Sequence, residues 1–161
     1  MAPKSVTVYV FTVSSSRFRT KGAKSESGSI IIKMLKDAGH DVSGHRILDD
    51  DSKMIVDEVI KSVSSGGVDA VILTGGTGFS KRDLTIEALS PLFGKTIEGF
   101  GEIFRYESYR KIGTAAYLSR ATAGMISGKP VFCLPGSPEA VELGMRLILP
   151  EISHIVFIAK S

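Results

Sequence analysis

Val68-Asp69-Ala70-Val71-Ile72-Leu73 leads directly into Thr74-Gly75-Gly76-Thr77-Gly78. The first six residues are a short, largely apolar run, the pattern of a central strand covered on both faces. The next five are a glycine-rich turn, and a helix is expected to begin between Ser80 and Thr85. Strand, turn and helix in that order are the unit from which parallel sheets are built. At such a turn the missing Cβ lets a ligand approach the main chain. Successive N–H groups can then converge on a phosphate, with the helix N-terminus behind them. The same residues also make an ordinary tight turn, so the segment acquires meaning only with its neighbours.

Upstream, Ser5 to Val13 alternates and is rich in β-branched residues, which predicts a first strand. A polar, basic stretch runs from Ser14 to Lys24. Ile30, Ile31, Met34, Leu35 and Ala38 then recur at helical spacing, and Gly39 stands where a helix end favours positive φ. Asp41 to Leu48 predicts a second strand. Asp49, Asp50, Asp51 and Ser52 offer an N-cap to a helix whose apolar face is Ile55, Val56, Val59, Ile60 and Val63. Downstream, Pro91, Gly94 and Glu98 to Glu102 mark a less regular stretch, and Phe104 to Leu118 is expected to be helical in part, broken near Gly113. Ala121 to Ile126 and Pro130 to Leu134 predict a hairpin across Gly128. Pro135-Gly136-Ser137-Pro138 opens a last helix carrying Val141, Leu143, Leu147 and Ile148. No repeat or linker divides residues 1–161. The expectation is one α/β domain, a three-layer α/β/α sandwich around a mostly parallel sheet.

In such a sheet every strand-to-helix loop leaves from the carboxyl edge, where ligands bind. Four loops would meet there: the first with Ser14, Ser15, Ser16, Arg17, Arg19, Lys21 and Lys24, the second with the three aspartates, the third with Gly75, Gly76, Thr77 and Gly78, the last with Pro135, Gly136 and Ser137. Each has a plain alternative. The basic loop can be a solvated face, and Ser137 or any of the aspartates can simply cap a helix. Their convergence points to a phosphate-bearing small molecule. Carboxylates repel phosphates unless a cation lies between them, and Mg²⁺ suits that arrangement.

Net charge is +3 and the pI about 9.0, too modest a balance to indicate nucleic acid, and Phe18 is the one aromatic within the basic loop. The single cysteine, Cys133, excludes an intrachain disulfide. His40, His45 and His154 have no zinc-ligand spacing. The first ten residues lack the regions of a signal peptide and no apolar run is long enough for a bilayer, so a cytoplasmic protein with no membrane partner is expected. There is no Asn, Gln or Trp. Asn and Gln are thermolabile, and their absence predicts a heat-adapted source.

Thr74 to Gly78, Arg82-Asp83, Gly99-Phe100-Gly101-Glu102, Ser119-Arg120-Ala121 with Ala123-Gly124, and Leu134 to Pro138 together resemble, in order and over nearly the whole chain, the MoaB/Mog family of molybdenum-cofactor biosynthesis. The resemblance implies that family's α/β fold and assembly as a homotrimer or homohexamer. It also implies an activity: the terminal phosphate of molybdopterin attacks the α-phosphate of Mg·ATP, giving adenylyl-molybdopterin and pyrophosphate. A separate downstream enzyme then inserts molybdenum or tungsten. Asp50 and Asp83 match the family's two important aspartates and are the expected catalytic residues, with Asp50 also the Mg²⁺ ligand. Ser119 matches a serine on the pterin side, and Arg120 adjoins it. With Ser14, Gly75, Gly76, Thr77, Gly78, Pro135, Gly136 and Ser137 they make up the expected phosphate, nucleotide and pterin site. Ser16 and Ser25 stand where the family often has acidic or amide residues, Asp49 where it often has Pro, and Ile86 where Pro is common. The rival from another class is a noncatalytic oligomeric protein that binds or delivers molybdopterin.

Overall fold

Residues Met1–Ser161 are all described by a computed structural model. Six strands form one sheet: β1 (Thr7–Val13), β2 (Asp41–Leu48), β3 (Ala70–Thr74), β4 (Lys95–Thr96), β5 (Thr122–Ile126) and β6 (Lys129–Leu134), in the order β2-β1-β3-β6-β5-β4. β2, β1, β3 and β6 are mutually parallel, whereas β5 runs antiparallel to both β6 and β4. The chain goes from β1 out to β2 and returns to β3 on the other side of β1. That reversal opens the crevice at which open α/β sheets hold ligands.

Alternation along the strands makes two cores. Val8, Val10, Ala70, Ile72, Phe132 and Leu134 face one side, under α2 (Glu26–Asp37), α5 (Glu98–Ile112), α6 (Pro138–Ile148) and α7 (Ile152–Ala159). Phe11, Val13, Val71, Leu73, Val131 and Cys133 face the other, under α3 (Ser52–Val63) and α4 (Thr85–Leu89). The middle strand β3 is buried at every residue, as its unbroken apolar pattern requires. Three layers and a mostly parallel sheet agree with the sequence expectation. No helix is long and apolar enough to cross a membrane.

Several elements differ from that expectation. The basic first loop contains a short helix, α1 (Ser15–Arg19). The Glu98–Glu102 stretch is not irregular but is the start of α5. Gly101 answers a packing demand: a Cβ there would stand 2.7 Å from both the Ala121 carbonyl and the Arg105 guanidinium. A six-residue 3₁₀ segment, Gly113–Leu118, follows the expected break at Gly113. β4 and α7 were not anticipated. β4 is two residues long and exists by its pairing with Met125 and Gly124. α7 is too uniformly apolar to show a helical period, with Ile152, Ile155, Val156, Phe157 and Ile158 in eight residues.

Candidate functional site

The registers Val13↔Leu48, Thr12↔Thr74 and Thr74↔Leu134 bring the ends of β1, β2, β3 and β6 level with one another. The four loops therefore start side by side. Antiparallel β5 enters the sheet at this same edge, since Thr122 pairs with Cys133, so Ser119 and Arg120 arrive there from before a strand rather than after one.

The glycine turn is tied down through its carbonyls. Thr85 Oγ1 donates to Gly75 O at 2.9 Å and Thr85 N to Gly76 O at 3.0 Å. Gly75 N donates to Leu134 O at 3.0 Å, and Gly75 and Gly76 take φ of 97° and 68°, which favours glycine strongly. A Cβ on Gly75 would strike the Val13 carbonyl. The N–H groups of Gly76, Thr77 and Gly78, by contrast, donate to nothing within the chain, and the same holds for Gly136 and Ser137. Unpartnered N–H donors in adjacent loops are what an anion needs.

The three aspartates have three different tasks. Asp51 caps α3, accepting from Met54 N at 2.8 Å. Asp49 was expected to serve as a helix cap, but it braces the first loop instead: its Oδ1 accepts from Ser15 Oγ at 2.6 Å and from Asp50 N at 2.9 Å. The Ser15 hydroxyl holds the Asp49 carboxyl below its usual range; burial opposes, and the Asp50 N–H, Arg19 and Arg82 add to the lowering. Asp50 Oδ2 accepts from Ser15 N at 3.1 Å and Ser15 Oγ at 2.6 Å, so one hydroxyl proton is available to either carboxylate. Asp50 Oδ1 accepts nothing and lies 3.4 Å from where a Gly76 Cβ would stand. A hard oxygen beside unpartnered N–H groups fits Mg²⁺, which takes one or two carboxylates together with phosphate oxygens. No three His, Cys, Asp or Glu side chains gather into a closed metal cage.

Asp83 lies on the other side of the turn. Its Oδ2 accepts from Ser80 N at 3.0 Å and would be 2.8 Å from a Cβ on Gly78. Pro135 O accepts from Thr74 Oγ1 at 2.8 Å and Gly136 O from Ser27 Oγ at 2.6 Å, while a Gly136 Cβ would come within 3.5 Å of the Gly75 Cα. The two glycine-bearing loops thus touch. Ser14 and Ser137 are helix caps, accepting from Arg17 N and Ala140 N. Arg120 is engaged by Gly78 O and Glu87, and Ser119 Oγ is buried with no partner. Arg17, Phe18 and Lys21 line a depression of about 450 Å³ that also includes His45 and Ile47.

Ser15, Thr85 and Glu87 hold this edge together; the sequence placed Ser15 in the first loop without a task and did not single out Thr85 or Glu87. A threonine at the start of a helix was a signal for Thr85; Glu87 offered none. Cys133 is buried and its thiol is pushed up to about 12 by desolvation, consistent with a core residue.

Residues 9–154 match the family described as "Probable molybdopterin binding domain". A molybdenum cofactor biosynthesis protein B of Bacillus cereus is 46% identical over 158 residues, covering 97% of this chain and 92% of that protein. A molybdopterin adenylyltransferase of Pyrococcus furiosus is 43% identical over 168 residues, covering 99% and 95%. The crystal structure of the tungsten cofactor synthesizing protein MoaB from Pyrococcus furiosus superposes with a TM-score of 0.89 at 41% identity, covering 99% of this chain and 100% of that one.

Proposed function

Because the chain belongs to the MoaB/Mog family of molybdenum-cofactor biosynthesis proteins, we propose that it catalyses the Mg·ATP-dependent adenylylation of molybdopterin. The observation that carries this reading is the Asp50 carboxylate, with Oδ1 unengaged, beside a turn whose Gly76, Thr77 and Gly78 N–H groups are unpartnered. The name of the Pyrococcus relative supports the same activity.

In this reading a phosphate oxygen of molybdopterin forms a bond to the α-phosphorus of ATP, and the bond from that phosphorus to pyrophosphate breaks. The nucleophile is already an anion and needs no general base. Catalysis then rests on alignment and on relief of charge repulsion. The glycine turn and the Gly136–Ser137 N–H groups would receive phosphate oxygens, Asp50 would hold Mg²⁺ through Oδ1, and Asp83 would help place the second substrate or the metal. Mg²⁺, when bound, neutralises phosphate charge. The Ser15 hydroxyl can direct its hydrogen bond to Asp49 alone when Asp50 is engaged.

The functional unit in this reading is a cytoplasmic homotrimer or homohexamer. Ile103, Tyr106, Tyr109 and Ile112 of α5 are all more than half exposed, and a closed assembly would cover them. Light scattering showing only a 17.2 kDa monomer at micromolar concentration would refute that part. The decisive experiment incubates the purified protein with molybdopterin, Mg²⁺ and ATP, and looks for adenylyl-molybdopterin and pyrophosphate. Binding of molybdopterin without turnover would make the chain a delivery protein instead.

A further inference from the structure

Phe79 directly follows the glycine turn and is 70% exposed. Arg120 lies over the ring, its guanidinium carbon 5.3 Å from the centroid. One terminal nitrogen of Arg120 donates to Gly78 O at 2.8 Å, and the other reaches the two Glu87 carboxylate oxygens at 2.7 and 3.2 Å. These bonds fix the guanidinium plane and balance its charge, so Arg120 is a brace more than a seeker of phosphate. The result is an aromatic ring held on one side by a rigid planar cation and otherwise largely open to solvent. It stands one residue beyond a turn with unpartnered N–H donors. Aromatic platforms of this kind accept flat heterocycles by stacking, with little dependence on which heterocycle it is. A platform braced before binding gives up little freedom when the ligand arrives.

We propose that Phe79, held by the Arg120–Glu87 pair, is the stacking platform for the flat nitrogen heterocycle of the phosphorylated ligand. The inference rests on the function proposed above and adds to it the residue that receives the ring. Adenine and the pterin share the required chemistry, and the arms of the test tell them apart.

Wild type, Phe79→Ala and Phe79→Tyr are each titrated calorimetrically with Mg·ATP, with Mg·tripolyphosphate, which has the phosphates but no ring, and with molybdopterin. Phe79→Ala should weaken one ring-bearing ligand about tenfold, equivalent to about 1.4 kcal/mol, and leave tripolyphosphate within about twofold. Phe79→Tyr should keep wild-type affinity. Loss confined to ATP assigns the platform to adenine, and loss confined to molybdopterin assigns it to the pterin. Unchanged affinity for both ring-bearing ligands overturns the inference, and so does an equal loss for tripolyphosphate. A Phe79→Ala variant whose mass by light scattering differs from wild type also overturns it, because the ring is then a contact between protomers. A wild-type protein that binds neither ATP nor molybdopterin defeats the proposed function first and this inference with it; a wild type that binds while Phe79→Ala binds equally well defeats the inference alone.

Discussion

Gly76→Ala adds one carbon to the glycine turn, and its cost divides into two parts. Gly76 has φ of 68°, where an L-residue forfeits about 1–2 kcal/mol. The new Cβ would overlap the Thr85 hydroxyl oxygen and stand 3.1 Å from Val13 Cγ1 and 3.4 Å from Asp50 Oδ1. If Thr85 turns aside, its 2.9 Å bond to Gly75 O is lost, at about 1 kcal/mol. The sum is about 2–3 kcal/mol, below the roughly 5–15 kcal/mol by which domains are stable, so the variant should fold. Its melting temperature should drop by roughly 4–12 °C for a chain of this length. Affinity for Mg·ATP should fall by about tenfold or more, because the carbon occupies the approach to both the N–H groups and Asp50. Gly128→Ala is the control. Gly128 has φ of 76° and nothing within 4 Å of its Cβ position, and it sits in the β5–β6 turn. That variant should lose about 1–2 kcal/mol from the same backbone cost and bind ATP as wild type does. Calorimetric melting and ATP titration of both variants decide the matter. If Gly76→Ala melts as expected yet binds ATP with wild-type affinity, the turn is not a phosphate seat.

Asp50→Ala should lose the Mg²⁺-dependent turnover. Asp51→Ala should keep the wild-type Mg²⁺ curve and lose about 0.5–2 kcal/mol of stability, as expected for a lost cap; a wild-type curve from Asp50→Ala, or a wild-type rate untouched by EDTA, removes Asp50 from the metal. Asp83→Asn can retain the bond from Ser80 N through its side-chain carbonyl, so its melting temperature should stay near wild type while turnover falls about tenfold or more. Normal turnover would leave Asp83 only a brace. His40 and His45 are held below the usual imidazole range by burial, with Asp41 opposing the effect at His40, and Val6 N donates to His40 Nδ1 at 3.2 Å. The unfolded chain therefore takes up these protons first as pH falls. Stability should be full above about pH 6.5 and decline below it, so a melting temperature that rises toward about pH 5 contradicts the assignment. The absence of Asn and Gln predicts melting above about 65 °C; an ordinary mesophile value would count against a heat-adapted source.

What was legible in the sequence was local or periodic. The β3 run and its glycine turn could be read directly, because a buried strand needs an unbroken apolar pattern and positive φ favours glycine. The amphipathic faces of α2 and α3 could be read from their 3.6-residue period. The edge carrying the site followed from strand-turn-helix order alone, since chain direction decides which end of a parallel strand each loop leaves. Elements without a pattern of their own were not visible. β4 is two residues that become a strand only when β5 lies beside them, and α7 is apolar on nearly every side.

The same division runs through the site. Sequence offered three identical carboxylates at Asp49, Asp50 and Asp51 and had no means of ranking them by geometry. Tertiary structure ranks them: Asp51 faces the first turn of its own helix, while Ser15 from another loop engages Asp49 and one oxygen of Asp50 and leaves the other oxygen toward Gly76. Arg120 stood in the sequence only beside Ser119 in the expected phosphate, nucleotide and pterin site, and only the fold joins it to Glu87, 33 residues away. A side chain's chemistry is carried by its own residue type, but its remaining capacity depends on which neighbours have already used its donors and acceptors. Those neighbours are assembled by long-range packing, which no local stretch of sequence contains.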